Sequence, residues 1–245
     1  MKLFLPFYLK MTRNKFTRAF KPIGINRKSA FFVSAPPILK DLVRTLPFLE
    51  NLRGLGPVAL FLPRTCEPFT RYFKPGLFEF VFYDKIPVLL TREFKALQEQ
   101  FRERTFESLI EINEPANLHL PYLIRTEKRL AFYNPKNYPY YNILLKGGIK
   151  ALNDFYRFEP ANSKKIFHIT ETESHKINRR LGKNHPILFV NGPDDRAWDG
   201  DKFVLGRDYL AEAEIPKIIY LCDAYYGLDD EWREIAKLFG KTILV

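Results

Sequence analysis

From Ser29 onward, short runs of β-branched and aromatic residues alternate with longer segments in which apolar residues recur every three or four positions. That alternation predicts a parallel sheet flanked by helices. AFFVSAP (residues 30–36) reads as a first strand. Leu39, Leu42, Val43, Leu46, Leu49 and Leu52 then share one helical face up to Gly54, a residue suited to stopping a helix. PVALFLP and FEFVFYD read as second and third strands, separated by a short helix around residues 69–73. An amphipathic helix is expected over 92–104, a fourth strand at SLIEINEP (108–115) and a fifth at LAFYN (130–134).

Residues 135–141 are rich in Pro, Asn and Tyr, a helical segment covers 143–158, and a polar stretch follows at 160–165. These features predict a boundary near Pro160. Beyond it the pattern restarts: KIFHITE as a strand, a short basic helix over 174–181, PILFVNGP as a strand, and a thin strand at 203–205. KIIYLCDA reads as another strand, 229–239 as a helix and KTILV as a last strand. No internal repeat or low-complexity tract interrupts the series. The expected organisation is an N-terminal arm (1–28), a Rossmann-like α/β domain (29–160) and a second Rossmann-like domain (161–245).

The 245 residues are 46% hydrophobic, 16% aromatic and 27% charged, which suits a folded chain and excludes global disorder. Lys and Arg number 39 against 28 Asp and Glu, and the net charge of +11 points to an acidic partner. The 13 Tyr and 23 Phe fall mostly in the predicted strands and apolar helix faces, and no nucleic-acid motif accompanies them, so nucleic acid is not the expected partner. Cys66 and Cys222 stand far apart with no second pair, which argues against a disulfide framework and for a reducing compartment. No run reaches the ~18 apolar residues of a spanning helix. The opening LFLPFYL is broken by Pro6, is followed by Lys10, Arg13, Lys15, Arg18 and Lys21, and lacks a small-residue cleavage site, so a secretory signal is not expected. Phe4, Phe7, Phe16 and Phe20 interleave with those cations. Such an arm can lie on a membrane surface, or it can pack its aromatics on the domain.

The glycine-rich dinucleotide and P-loop motifs, the zinc-protease motif and the G-x-S-x-G nucleophile elbow are all absent. His119, His168, His175 and His185 form no ligand pair at helical spacing with a carboxylate, so no catalytic metal is expected. The more informative segment is SAPPILKD, which puts Asp41 at a helix start just after the first strand. Ligands of parallel α/β sheets gather beyond the carboxyl ends of strands, so a carboxylate there can accept a proton from a substrate hydroxyl. It can equally be a first-turn Asp that only steadies its helix.

DLVRTLPFLENLRG (41–54) resembles the first helix of the heptosyltransferase-type glycosyltransferases, in which strand one is followed by a G-D pair, a Pro and then L-x-x-L-[RK]. Asp41 falls on the Asp of that pair, with Thr45, Pro47, Leu49, Leu52 and Arg53 in register and Lys40 replacing the Gly. SLIEINEPANLHLPYLIRTEKRLAFYN is similar to the family's fourth strand, turn, helix and next strand, ending at Ala131 and Phe132. ILFVNGPDDRAW is similar to a strand ending in G-G-P-x-[DE], with Gly192, Pro193 and Asp195 matching and Asn191 at the first Gly. In the last segment Asp229 matches the Asp of a D-[ST]-G-x-x-H helix start, while Glu231 and Glu234 replace its Gly and His.

The resemblance implies a GT-B architecture, two Rossmann-like domains with the second shortened, and inverting transfer of a sugar to an anionic, lipopolysaccharide-type glycolipid. The donor is a nucleotide sugar, with no separate cofactor and no metal. Asp41 would be the general base, Lys176, Gly192 and Asp229 the donor side, and Lys40 and Arg44 basic groups toward the acceptor. Work on such an acceptor implies a cytoplasmic protein at the inner face of the cell membrane. Glu231 and Glu234 add negative charge where a diphosphate would sit. They favour a second reading, a catalytically silent scaffold that binds a protein partner or a membrane.

Overall fold

The computed structural model describes residues 4–16, 30–159, 166–167, 175, 179, 186–208 and 215–244. The chain divides into two compact units. One holds Met1–Pro37, Phe48–Glu67 and Phe78–Ala161, the other Ile38–Pro47, Pro68–Leu77 and Asn162–Val245.

The first unit is built on a sheet of β1 (Ala30–Ser34), β2 (Val58–Pro63), β3 (Glu79–Tyr83), β4 (Phe106–Glu111), β5 (Lys128–Phe132) and β6 (Ile143–Leu145). Their order is β3-β2-β1-β4-β5-β6 and every pair is parallel, the doubly wound arrangement. Phe31, Phe32 and Val33 of the central strand are fully buried, as the continuous apolar run of a strand covered on both faces requires. Phe32 lies 5.6 Å from Phe61 and 5.4 Å from both Phe101 and Phe106, ring to ring. Edge-on ring contacts of this kind add to the burial energy. Strand order reverses between β1 and β4, whose last residues, Ser34 and Glu111, are register partners. That reversal is where a parallel sheet opens a crevice.

After β1 comes α2 (Leu39–Leu55), preceded in the chain by α1 (Phe4–Thr12). Leu42, Val43, Leu46, Leu49 and Leu52 of α2 are fully buried. Pro47 sits inside this helix, where it removes one intrahelical donor. The helices α3 (Glu67–Thr70), α4 (Arg92–Gln100), α5 (Leu120–Leu123) and α6 (Gly148–Tyr156) follow. Thr91 caps α4 by accepting from the Phe94 amide at 3.2 Å. The helix expected over 143–158 begins later. Residues 143–145 pair with β5 as an edge strand, and Gly147 and Gly148, both at positive φ, turn the chain before α6.

Of the N-terminal arm, α1 and a 3-10 turn at Arg13–Phe16 are described, and residues 17–29 lie outside the described residues. Phe16 packs edge-on against Tyr122 at 4.8 Å, with the Arg129 guanidinium 5.1 Å from its ring. This aromatic is therefore turned onto the first unit and is not available for insertion elsewhere.

In the second unit a parallel sheet runs β10-β9-β7-β8: β7 (Ile187–Asn191), β8 (Asp201–Val204), β9 (Ala224–Gly227) and β10 (Thr242–Leu244). Phe189 stacks between Phe203 and Tyr225, at 5.6 and 5.7 Å. KIIYLCDA, expected as one strand, is instead the end of α7 (Ile215–Leu221) followed by the start of β9. Ile215, Ile218, Ile219 and Cys222 are all buried, a helical i, i+3, i+4, i+7 set that a short apolar run conceals. The last helix, α8 (Glu231–Leu238), packs on α7 and β9. The early segments counted with this unit reach it through side chains, since Tyr72 and Phe69 pack on Trp232 at 5.8 and 6.2 Å. The strand and helix expected at 165–171 and 174–181 lie outside the described residues except Ile166, Phe167, His175 and Arg179.

Candidate active site

Within the second unit the first turn of α2 meets the first turn of α8. Lys40 Nζ donates to the Asp229 carboxylate at 2.5 Å and to its carbonyl at 3.1 Å. Asp41 leaves 46% of its side chain exposed and accepts from Arg44 Nη1 at 3.4 Å. Arg44 Nη2 donates to Glu234 at 3.0 Å, and Lys237 donates to the same carboxylate at 2.9 Å. Lys40, Asp41, Arg44 and Asp229, four of the residues singled out from sequence, are thus neighbours on two helix ends. Lys176 lies outside the described residues.

The Lys40 ammonium holds the Asp229 carboxyl below the usual carboxylate range. Burial pushes Glu234 up, but the hydrogen bonds from Arg44 and Lys237 outweigh it and leave its carboxyl below the ordinary value. Glu234 therefore does not act as a bare charge at the helix end, because it is buried and doubly paired. Glu231, in the same first turn, has no ion-pair partner among the described residues. Arg44→Ala leaves the buried Glu234 with Lys237 alone and should lower stability by about 1 kcal/mol in urea titration. Arg44→Lys should recover part of the loss, lacking only the second arm of the fork.

The cap of α8 is Asp230 and not Asp229: its carboxylate accepts from the Trp232 and Arg233 amides at 3.0 and 3.3 Å. Asn191, at the end of β7, donates to Asp230 at 2.6 Å and to the Tyr225 hydroxyl at 2.9 Å. Gly192 follows at φ +145. Gly227 has no alternative, since a Cβ there would lie 2.0 Å from the Asn191 carbonyl oxygen. The carboxyl ends of β7 and β9 are thereby drawn together beside the α8 cap.

Sequence reasoning did not single out Glu111. It sits 1% exposed at the end of β4, in the crevice of the first unit. Its carboxylate accepts from the Asn113 side chain at 2.7 Å, the Asn113 amide at 3.1 Å and the Asn117 amide at 3.2 Å, and Tyr141 donates at 3.3 Å. Burial pushes its carboxyl up to about 7 despite these donors. The available signal was a Glu closing the apolar run SLIE, with Asn two residues on. No group of three or more His, Cys, Asp or Glu among the described residues is arranged to hold a metal ion.

No protein-family model matches the sequence, and no curated protein is detectably similar to it. Among solved structures, a glycosyl transferase family 9 protein from Veillonella parvula DSM 2008 superposes with a TM-score of 0.61 at 12% identity, over 89% of this chain and 80% of that one. The E. coli heptosyltransferase WaaC with ADP superposes at 0.50 and 9% identity, over 87% and 85%. The fold is that of the family 9 glycosyltransferases. This is the GT-B architecture, with two parallel α/β sheets, the second of four strands. At such identities the likeness is one of fold, and residue roles have to come from the chain itself.

Proposed function

We propose that the protein is an inverting glycosyltransferase that moves a sugar from a nucleotide-sugar donor to an acidic envelope glycolipid of the lipopolysaccharide type. The observation that carries this reading is Asp41, a half-exposed carboxylate in the first helical turn after the central strand of a GT-B chain, steadied by Arg44 at 3.4 Å. Asp41 takes the proton of the acceptor hydroxyl. The freed oxygen attacks the anomeric carbon, and the bond to the diphosphate breaks from the opposite face, releasing the nucleoside diphosphate. Lys40 and Arg44 supply positive charge toward the acidic acceptor. Gly192, Asp229 and the sequence candidate Lys176 belong to the donor side. No separate cofactor enters this scheme, and the protein works in the cytoplasm, where nucleotide sugars and the inner membrane face meet.

One observation favours a silent scaffold instead: Lys40 and Arg44 already have carboxylate partners in Asp229 and Glu234. WaaC was solved with ADP and with ADP-2-deoxy-2-fluoro heptose, so adenosine-diphosphate sugars are the first donors to try. Ligand at about 100 times its Kd adds ~2.7 kcal/mol to stability, a Tm rise of about 5–10 °C. The enzyme reading expects that rise with ADP, together with labelled sugar appearing on a detergent-dispersed phosphorylated glycolipid. No shift and no transfer from any nucleotide sugar would leave the scaffold.

A further inference from the structure

The first unit carries a cavity of about 500 Å³ between α1 and the turn after β5, remote in sequence from every residue assigned above. Its apolar walls include Leu9, Tyr138 and Tyr140, and three cations, Lys10, Arg13 and Lys136, stand in the same lining. All three cations are exposed. Among the described residues none has a carboxylate partner, and Arg13 has only the Tyr138 carbonyl, at 3.4 Å.

The cavity is held open by bonds that tie α1 to the unit. Tyr140 donates its hydroxyl to the Leu9 carbonyl at 2.7 Å, and the Thr12 and Tyr122 hydroxyls are hydrogen-bonded to each other. Among the described residues the lining holds no Asn, Gln, Asp, Glu, Ser or Thr, and the Tyr140 hydroxyl is already committed, so apart from the Tyr138 hydroxyl they offer few neutral polar groups to a base or a sugar edge. What remains is hydrocarbon and aromatic wall beside positive charge. Residues 1–21 contain no Asp or Glu, and Met11 and Tyr138 stand 65% and 49% exposed. An apolar face bordered by cations is the chemistry that seats an acidic amphiphile at a bilayer surface.

We infer that this cavity binds an acidic lipid, its phosphate against Lys10, Arg13 and Lys136 and its first methylenes against Leu9, Tyr138 and Tyr140. The site is independent of sugar transfer. A protein that fails to transfer sugar can still bind lipid here, and loss of lipid binding leaves the transfer assay to decide the function by itself.

Co-sedimentation of the full chain with phosphatidylglycerol–phosphatidylcholine vesicles, against phosphatidylcholine alone, reads the binding. Lys136→Glu lies outside the arm and should weaken binding to the acidic vesicles by roughly tenfold or more. Lys150→Glu carries the same charge change on an exposed part of α6 and should cost less than about threefold, the long-range share of a screened charge. Tyr138→Ala alters no charge and should also weaken binding, by about fivefold, through lost apolar contact. Short-chain phosphatidylglycerol below its micellar concentration should compete, whereas inorganic phosphate at the same concentration should not. Equal losses for Lys136→Glu and Lys150→Glu would reduce the effect to net charge and overturn the site. Competition by inorganic phosphate or by ADP as strong as that of the short-chain lipid, or undiminished binding by Tyr138→Ala, would overturn the lipid assignment. Thermal melting of each variant confirms that it is folded.

Discussion

Asp41→Asn is expected to slow sugar transfer by about 10²–10⁴-fold, the span lost with a positioned general base and equivalent to ~3–5 kcal/mol of barrier. The asparagine keeps the size of the side chain and much of its hydrogen bonding, but it cannot take the acceptor proton. Asp41 sits in the first turn of α2, and nearly half of its side chain meets solvent, which leaves the carboxylate open to an acceptor hydroxyl. A carboxylate that only steadies the helix contributes at most about 1 kcal/mol through the dipole. The two roles therefore separate cleanly. Single-turnover transfer should collapse while the urea midpoint moves little and any thermal shift with ADP is retained. A transfer rate within threefold of the parent would remove Asp41 from the chemistry.

The second large effect is on stability and belongs to Glu111. Its folded pKa of about 7 lies above the ~4.3 of an unfolded glutamate. Between those values the folded state keeps a proton that the unfolded chain has lost, so stability falls as pH rises through that window. The contribution is fully present below about pH 4, declines toward pH 7 and is flat above it, with a total of about 3–4 kcal/mol. Glu111→Gln carries no titrating proton. The stability difference between the parent and this variant should therefore shift against the parent by that amount from pH 4.5 to pH 8, measured by urea titration at each pH. A difference that does not change with pH would show that the donors from Asn113, Asn117 and Tyr141 keep the carboxylate ionised throughout.

The first sheet is largely legible from the residues. The β-branched and aromatic runs AFFVS and VALFLP, each with Pro at or just beyond its end, read as strands buried on both faces, and the three- and four-residue spacing of Leu39 to Leu52 reads as a helix. Asp41 was reachable the same way, because its place at a helix start after the first strand is a local property. KIIYLCDA was not. An apolar run of that length satisfies either period, and the choice fell to Pro216 in the first turn and to the packing of Ile215, Ile218 and Ile219 against the rest of the second unit. The segment at 143–145 likewise became a strand because β5 offered an unpaired edge.

Partners distant in the chain were beyond any local pattern. Lys40 finds Asp229 across 189 positions and Arg44 finds Glu234 across 190, so a glutamate that looked like bare charge is a buried, neutralised one. Glu111 is an ordinary acidic residue until β1 and β5 close around its strand and Tyr141 covers it. Hydrophobic period is written into neighbouring residues. The ionisation and reach of a polar side chain depend on which water molecules the folded chain has displaced, and that is decided only when segments far apart in sequence pack together.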